Sequence, residues 1–425
     1  MPGGSVNKAA GRKIRTLQDV VDWGLCIGCG ACSYACSKTS VSLVNILSEG
    51  IRPLFELADD CGSCAQCLSF CPGYVVDAGQ QQARGNEELS GEQEFGAALE
   101  IWEGHASDPE IRFRASSGGL LSALAIYCLE REGMGFVLHS GADENAPWVN
   151  RTVQSRNRTE VLTRAGSRYA PSSPCDGLAS IEASDSPCVF IGKPCDTAAV
   201  STLQSQRPAL AQNLGLVMTF FCAGTPNSQG TLDLAAHLNV DCEGIESIKY
   251  RGEGWPGGFQ VRAAGRSEEK TLSYQESWAY LTSYRPLRCN LCPDGLGRVA
   301  DISCGDSWGK WQNDGDPGRS LVLVRTERGR EILHRAIAAH YVSLERVDAR
   351  AVLEAQPQLL QRRRELFGRL LALRLVGAPI PQFKKFSLLR SWRALPLLTQ
   401  ARTVLGTMRR AIRRGWWKRR SPAVA

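Results

Sequence analysis

Apolar positions recur along the middle of this chain in two alternating patterns, which together predict an α/β domain. Short apolar runs predict strands at 136–140, 186–191, 216–221, 259–262 and 321–325. Apolar residues at helical spacing predict helices at 120–128, 196–203 and 328–339. Because strand, loop and helix alternate, this part of the chain is predicted to form a mixed α/β core.

The two ends of the chain follow other patterns. Near the N-terminus, residues 41–46 and 51–55 alternate apolar and polar positions, which predicts a hairpin around Ser48, Glu49 and Gly50. Beyond Gln361, Leu and Arg recur at helical intervals, which predicts a basic helical tail. The core is therefore expected to lie between two smaller units of different character.

Two cysteine runs with one shared spacing occupy the N-terminal unit. They are Cys26-x-x-Cys29-x-x-Cys32-x-x-x-Cys36 and Cys61-x-x-Cys64-x-x-Cys67-x-x-x-Cys71-Pro72. Three thiolates at i, i+3 and i+6 hold three corners of a 4Fe-4S cube, and the fourth reaches the neighbouring cube. This crossing predicts one cluster on Cys26, Cys29, Cys32 and Cys71, and a second on Cys61, Cys64, Cys67 and Cys36.

The alternatives for these cysteines are a disulfide framework and a pair of structural zinc sites. Disulfides are rare in long chains that are not exported, and zinc ribbons use paired C-x-x-C knuckles rather than triplets. Ser37 stands where the first run would normally have proline, a residue that shapes the turn and is not a ligand. The repeated spacing therefore favours a two-cluster ferredoxin unit.

Length and composition bound the class of protein. The chain has 425 residues, 43% of them hydrophobic, which predicts two or three domains with ordinary interiors. No run approaches the roughly 18 consecutive apolar residues of a spanning helix, and residues 1–20 lack the apolar core of a secretory signal. We therefore expect a cytoplasmic protein, in which 17 cysteines remain reduced or bind metals.

Charge divides the chain unevenly. The net charge is +7, yet residues 361–425 hold 17 Lys and Arg and a single acid, Glu365, so the remainder is acidic. An acidic body argues against a nucleic-acid-binding protein. The tail combines its basic residues with Leu366, Leu370, Leu371, Leu373, Leu375, Trp392, Trp416 and Trp417. A peripheral contact with an anionic membrane at the inner membrane face, a solvated end, and a helix that docks on an acidic partner are three alternatives for this tail.

Four further cysteines follow predicted strands or lie in a compact later segment. They are Cys195, Cys222, Cys289 and Cys292, and loops at strand ends would bring them to a third cluster. The alternative is that they are small buried apolar residues. Cys175 and Cys304 are substitutes should one of the four be wrong, whereas Cys128, Cys188 and Cys242 are expected to be ordinary core or surface residues.

A polar turn at the start of a predicted helix offers a place for a phosphate. Ser116, Ser117, Gly118 and Gly119 present hydroxyl and backbone N–H groups at that helix N-terminus, although the same residues also serve as simple caps. Arg112, Arg114 and Lys193 are candidate partners for a pyrophosphate. Neither a GxGxxG nor a GxxxxGK motif is present, which argues against a standard Rossmann site. Asp306 and Glu253 are the candidate substrate contacts, because none of the five histidines lies in a catalytic motif.

Four motifs in this order resemble the beta-subunit family of coenzyme F420 hydrogenase and dehydrogenase. They are Ser116-Ser117-Gly118-Gly119, Gly192-Lys193-Pro194-Cys195, Cys289-x-x-Cys292 and the segment Ala300 to Gly309. The resemblance runs from about Cys26 to Arg325 and implies FAD at Ser116 to Gly119, Gly192 and Lys193, with a cluster on the later cysteines. The family includes F420-reducing subunits and tetrapyrrole reductases; the plain ferredoxin spacing of the first run argues against a tetrapyrrole substrate here.

The fold class expected from these features is α+β and α/β: a small bacterial-ferredoxin-like domain, a mixed α/β flavin-binding core and a basic helical tail. The expected boundaries are a lead-in at 1–20, the ferredoxin domain at 21–77, a linker at 78–105, the N-terminal-type family region at 106–180, the C-terminal-type region at 181–350 and the tail at 351–425. The expected function is electron transfer between a ferredoxin-like donor or partner redox subunit and a two-electron acceptor, with F420 as a candidate substrate. An electron-transfer subunit without its own substrate, and a role in cell-surface polysaccharide assembly, are the alternatives.

Overall fold

The computed structural model describes residues 13–36, 41–55, 66–78, 92–309 and 315–420. The strands are β1 Val41–Ile46, β2 Gly50–Phe55, β3 Val75–Asp77, β4 Glu100–Ala106, β5 Val137–Ala142, β6 Asn150–Ser155, β7 Cys188–Gly192, β8 Leu214–Phe220, β9 Ile245–Lys249, β10 Gly258–Ala263, β11 Glu269–Ser273, β12 Ile302–Asp306, β13 Ser320–Val324, β14 Val342–Arg346 and β15 Gln382–Lys384. The helices are α1 Leu17–Asp22, α2 Ala31–Ala35, α3 Glu92–Phe95, α4 Pro109–Arg114, α5 Leu120–Arg131, α6 Arg158–Thr163, α7 Leu178–Glu182, α8 Pro194–Gln204, α9 Pro208–Asn213, α10 Ser228–His237, α11 Tyr274–Leu281, α12 Leu287–Asn290, α13 Glu327–Ala338, α14 Ala349–Ala355, α15 Pro357–Arg364, α16 Leu366–Leu375, α17 Leu388–Arg393 and α18 Leu397–Arg413.

An eight-stranded sheet in the order β14-β4-β13-β12-β8-β7-β5-β6 organises the core. Its centre is parallel, because β5, β7, β8 and β12 run in one direction, and antiparallel strands complete both sides. The central strands are apolar on both faces, as expected for a sheet covered by helices such as α5 and α13. The sequence prediction of a mixed α/β core is confirmed.

The parallel strands determine where a site can form. Their carboxyl ends meet at one edge of the sheet, where the loops after β7, β8 and β12 leave the core. In α/β proteins, ligands bind outside this edge. A smaller antiparallel sheet, β11-β10-β9, packs with α10 and α11 into a satellite core beside the same edge.

The N-terminal unit forms the predicted hairpin. Strands β1 and β2 pair antiparallel from Val41 opposite Phe55 to Ile46 opposite Gly50. Gly30 brings this unit close to the α/β core, because a Cβ there would lie 2.8 Å from the backbone nitrogen of Asp176 and its φ of +85° favours glycine. Cys61 and Cys64 lie outside the described residues.

The expected lead-in and linker both contain ordered elements. Helix α1 begins at Leu17 with Thr16 as its N-cap, and it buries Leu17, Val20 and Val21. Strand β4 begins at Glu100, inside the expected linker, and pairs with β13 and β14 in the main sheet. The α/β core therefore starts earlier than the predicted boundary at 106, because a strand that carries Glu100, Glu103 and His105 does not show an apolar run.

The tail is largely part of the folded protein rather than a solvated end, and the leucines in its first part are not available to a membrane. Leu366, Leu370 and Leu373 are buried in a core that also contains Leu17 and Cys26. Strand β15 pairs in parallel with β3 of the N-terminal unit. Trp416 is buried as well, and Trp392 is half-buried against Phe367. Helices α15 to α17 therefore attach the N-terminal unit to the core.

Candidate functional site

A cavity of about 290 Å³ opens at the carboxyl edge of the parallel strands. Strand ends and their loops form one side of it, including Gly192, Phe221 and Asp306. The first turn of α5 forms another side, and Gln356 and Leu359 complete it from the C-terminal helices. This position and size are typical of a small-molecule or cofactor site.

The predicted phosphate turn lies at this cavity, and its hydroxyl and N–H groups form hydrogen bonds with other parts of the protein. The Ser116 hydroxyl accepts a hydrogen bond from the Ser167 N–H at 2.7 Å, and Ser117 Oγ lies 2.7 Å from Ser320 Oγ. The Gly118 N–H donates to Ser320 Oγ at 2.8 Å. These hydrogen bonds hold the turn in place, with Ser116, Ser117 and Gly119 in the cavity wall.

The N-terminus of α5 supplies the remaining donors. This 12-residue helix has no side-chain cap, and Leu120, Leu121 and Ser122 of its first turn line the cavity. The first N–H groups of a helix have no partner within the helix, and its dipole favours an anion there. Gly119, with a φ of +77°, lets the chain enter the helix at this point. The residues present therefore fit a phosphate or pyrophosphate group.

Lys193 is the buried cation of the cavity. Its Nζ donates to Ser172 Oγ at 2.7 Å and to the Ser172 carbonyl at 3.0 Å, and it pairs with Asp196 Oδ2 at 2.8 Å. Burial is the largest influence at both groups and raises the pKa of Asp196; at Lys193 burial lowers the pKa, but Asp196 together with Cys195 and Cys222 gives a net rise. Because the pair is hydrogen-bonded on both sides, we treat it as ionised.

Three sequence-predicted contacts lie elsewhere. Arg114 does not line the cavity; its half-exposed side chain pairs with Glu110 at 3.1 Å. Arg112 donates to the carbonyl of Gly318, and Glu253 forms an exposed pair with Lys249. Asp306 does line the cavity, as predicted for a substrate contact.

An aromatic wall stands across the cavity around Asp306. The guanidinium of Arg251 donates to both carboxylate oxygens of Asp306, at 2.8 and 2.7 Å, and lies 4.8 Å from the ring centroid of Tyr274. Tyr274 stacks on Trp308 with centroids 5.3 Å apart, and Trp255 donates to Asp306 at 2.9 Å. Flat, polarizable surfaces of this kind suit a conjugated ring system.

Sequence reasoning missed most of this wall and several other cavity residues. They are His139, Arg164, Arg168, Tyr169, Arg251, Tyr274, Trp278 and Trp308. The clearest available signal in the sequence is the glycine-rich segment that begins with Arg251-Gly252. Burial and the nearby Arg164 lower the pKa of His139 to about 4, so this histidine is neutral at pH 7.

The second thiol group, defined as Cys195, Cys222, Cys289 and Cys292, lies beside this cavity. Cys195 is within electrostatic range of Cys222 and Cys292, and Cys222 is within range of Cys289 and Cys292. The loop from Phe221 to Thr225 contributes directly to the cavity wall. The four cysteines therefore lie near one another, and Cys222 also lines the cavity.

The first thiol group consists of Cys26, Cys29, Cys32 and Cys71. Cys32 is within electrostatic range of the other three and of Cys67, and Cys71 is within range of Cys26 and Cys29. The Gly28 N–H points at the Cys26 sulfur at 3.4 Å. This grouping agrees with the crossed ligand set predicted for one cluster, while the set for the other cluster includes Cys61 and Cys64, which lie outside the described residues.

Both thiol groups have the chemistry of cluster ligands. Among the described residues, no set of three or more His, Cys, Asp or Glu side chains is arranged to hold a metal ion. The corners of a 4Fe-4S cube keep their thiolates further apart than a single ion does. Burial raises the pKa of Cys222 to about 12 and also raises that of Cys195 and Cys292, so these sulfurs need a positive centre to become thiolates.

Arg288 connects the two thiol groups. This buried side chain donates to the carbonyls of Pro72 at 2.7 Å and Gly73 at 3.3 Å, directly after Cys71. It also donates to the carbonyl of Leu291 at 3.1 Å, directly before Cys292. One guanidinium therefore fixes the loops of both groups against each other.

Cys175 and Cys304 are also close to the site. The Cys175 N–H donates to the Cys29 carbonyl at 3.0 Å, and its thiol points at the Asp196 carbonyl at 3.6 Å. Cys304 lies on β12 and lines the cavity. Cys128 and Cys188 are buried and Cys242 is exposed, as expected for ordinary residues.

A cofactor-sized cavity beside grouped thiols defines a redox protein of the α/β class, and comparisons with known proteins identify its family. The family model described as coenzyme F420 hydrogenase/dehydrogenase, beta subunit N-term, matches residues 101–179. The model of the same subunit's C terminus matches residues 186–350. Together they cover more than half of the chain, which therefore belongs to the coenzyme F420 hydrogenase/dehydrogenase beta-subunit family, a family of oxidoreductase subunits.

Curated relatives include an F420-dependent enzyme and a subunit of an F420 hydrogenase. The chain is 25% identical over 369 residues to the coenzyme F420-dependent sulfite reductase of Methanocaldococcus jannaschii, a match that covers 82% of this chain and 52% of the reductase. It is 25% identical over 289 residues to the coenzyme F420 hydrogenase subunit beta of Methanococcus voltae, covering 65% of this chain and 95% of that subunit. The chain thus spans about half the length of the reductase.

A solved structure supports the fold. The F420-reducing [NiFe] hydrogenase complex from Methanosarcina barkeri contains a chain that matches with a TM-score of 0.51 and 20% sequence identity. The match covers 64% of this chain and 91% of that one. Among the helices of the described segments, none combines the length and apolar character needed to cross a bilayer.

Proposed function

We propose that this protein is an iron-sulfur flavoprotein oxidoreductase. It passes electrons between a ferredoxin-like one-electron carrier and a two-electron acceptor through 4Fe-4S clusters and FAD. FAD supplies the conversion between one-electron and two-electron couples when it is bound. The acceptor is proposed to be F420, because the curated relatives are named as F420-dependent enzymes or their subunits.

The observation that supports this proposal most strongly is that the second thiol group adjoins the cavity. Cys222 belongs both to the group of four thiols and to the lining of the cavity. Arg288 then links this group to Pro72 and Gly73, next to the first thiol group. Successive redox centres would therefore lie in line from the N-terminal unit to the cavity.

The chain's own residues would hold a dinucleotide in a defined orientation. The uncapped N-terminus of α5 stabilises the negative charge of a pyrophosphate. Lys193 lies at the cavity in a position that Ser172 and Asp196 fix independently of the ligand. The wall of Tyr274 and Trp308, braced by the Arg251–Asp306 pair, offers a surface for a conjugated ring.

A second candidate function is an electron-transfer subunit without its own substrate. Coverage of 95% of a hydrogenase beta subunit favours it, since that relative is one subunit of a larger enzyme. The chain would then require a partner redox subunit for turnover. An isolated holoprotein that reduces F420 with an artificial electron donor would overturn this alternative and support the enzyme.

Paired cysteine variants test the role of the second thiol group. Cys222→Ser is expected to remove about four iron atoms per anaerobically prepared chain, because one cube loses a ligand. The control is Cys242→Ser, which changes an exposed cysteine in the same way and should leave the iron content unchanged. Equal iron contents in the two variants and the parent protein would contradict the third cluster. Flavin analysis of the same samples reports separately on the cavity.

A further inference from the structure

Helix α18 presents its apolar side to solvent. Leu398, Leu405 and Ile412 are 61%, 65% and 60% exposed, and Leu397 at the first turn is 81% exposed. Leu398, Leu405 and Ile412 are spaced by seven residues, or two helical turns, so their side chains form one row along the helix. This is the reverse of the usual amphipathic helix, whose apolar row faces the protein core.

The side of α18 that packs on the protein consists of small residues. Thr403, Thr407 and Ala411 are buried at a spacing of four. The neighbouring α16 approaches closely here, because a Cβ on Gly368 would lie 3.2 Å from the methyl group of Thr403. Close packing through small residues holds the helix in place, and the leucine row is left on the outside.

A row of arginines runs beside the leucine row. Arg402 and Arg409 follow Leu398 and Leu405 by four residues, which places them next to each other on the helix surface. Arg413 extends the same row by one more turn. No Asp or Glu occurs anywhere from Leu366 to Ala425. A partly exposed Trp417 carries the Lys418 amine 4.9 Å from its ring centroid.

We propose that α18 lies in the surface of an anionic lipid bilayer. Leu397, Leu398, Leu405 and Ile412 enter the boundary of the acyl chains, and the arginine row contacts the lipid phosphates. Charge complementarity selects this occupant, since an apolar row with arginines along one side and no acidic residue on its own helix matches a negative surface with an apolar interior. The contact lies within the tail for which a membrane contact was expected from sequence, but it uses the leucines of α18 rather than Leu366, Leu370 and Leu373, which are buried.

The proposal is tested by cosedimentation of the full-length holoprotein with lipid vesicles. The protein is expected to sediment with phosphatidylglycerol vesicles and to remain in solution with phosphatidylcholine vesicles. Raising the salt concentration should release it, because screening weakens contacts between exposed charges. Leu405→Glu is expected to lower the fraction bound by roughly tenfold, since it removes one buried leucine and adds a repelled charge.

A matched variant separates the helix from a general charge effect. Leu47→Glu introduces the same change at a leucine that is 37% exposed in the hairpin loop, away from α18. It should bind vesicles like the parent protein, and circular dichroism should show both variants folded. The proposal fails if the folded parent protein ignores phosphatidylglycerol vesicles, or if Leu405→Glu binds as well as Leu47→Glu. It also fails if light scattering shows a dimer that Leu405→Glu dissociates, because a second copy would then cover the helix.

Discussion

The two thiol groups reach similar arrangements by different routes. Three members of the first group lie within seven residues of sequence, and only Cys71 comes from a second segment. The second group collects Cys195, Cys222 and the Cys289/Cys292 pair from three separate segments, which the strands β7 and β8 and the helix α12 bring together. The first group is therefore a local motif, whereas the second exists only when the sheet is folded.

The structural elements that hold the two thiol groups also differ. The N-terminal unit has a short hairpin and a small core, and it is completed by α16, β15 and Trp416 from the other end of the chain. The second group sits on the edge of the eight-stranded sheet and is held by Arg285 and Arg362. The local motif thus depends on elements from the other end of the chain, whereas the dispersed group rests mainly on the sheet edge, with Arg362 added from the C-terminal helices.

The largest effect is expected from weakening the packing of the C-terminal helices on the N-terminal unit, which supports the first thiol group. Leu366 is fully buried between the tail and the N-terminal unit, so Leu366→Ala should destabilise the protein by about 3 kcal/mol or more. Leu375→Ala is the control, because this leucine of the same helix is 61% exposed and should cost less than about 0.5 kcal/mol. Denaturant titration, followed by circular dichroism and by cluster absorbance, measures both. Similar unfolding midpoints for the two variants would show that the C-terminal helices do not stabilise the N-terminal unit.

The next effect concerns acid sensitivity at the cavity. His139 has a pKa of about 4 in the folded protein, below its ordinary value of 6.5, so the unfolded chain binds the extra proton between these values. The His139 contribution to the free energy of unfolding is therefore complete above pH 6.5, and this free energy falls by on the order of 3 kcal/mol as the pH drops towards 4. His139→Asn should lose this pH dependence.

The control for acid sensitivity is His237→Asn, which replaces an exposed histidine. Unfolding free energies measured from pH 4 to pH 7 should fall in parallel for this variant and the parent protein. A profile for His139→Asn that matches the parent would show that His139 is not the acid-sensitive group.

A smaller effect is expected from loosening the second group alone. Arg362 donates to the carbonyls of Cys222 at 3.0 Å and Ala223 at 2.7 Å, so Arg362→Ala should cost about 2 kcal/mol. Arg374→Ala, an exposed residue of α16, should have little effect. Iron release under chelation should accelerate for about one cluster in Arg362→Ala. Accelerated loss of all the iron would show that the two groups are not independently supported.

Much of the core could be predicted from sequence because its strands are apolar on both faces. The runs that became β7, β8 and β13 were recognised, and so was the position of Cys195 and Cys222 just after strands. Strand β4 was missed for a physical reason. Glu100 and Glu103 are buried in it, where Glu100 accepts hydrogen bonds from Trp102 and His334 at 2.8 Å and Glu103 accepts one from Ser307. Because buried and paired charges interrupt its apolar positions, β4 lacks the apolar run by which strands are recognised in a sequence.

The tail and the aromatic wall could not be predicted for a second reason, which is distance along the chain. The helical period of residues 366–375 is visible in sequence, but its partner at Leu17 lies some 350 residues away. Arg251 and Asp306 likewise meet only because β9, β10 and β12 come together at one edge. Periodicity indicates that a face is apolar, and only the fold determines what covers it.

The most direct test of the account is the iron, sulfide and flavin content of the protein purified without oxygen. Two clusters on the N-terminal cysteines and a third on the second thiol group predict about twelve iron atoms and as many sulfides per chain, together with about one FAD. A preparation that contains iron for two cubes but no flavin would contradict the central claim that this chain joins iron-sulfur clusters to a flavin.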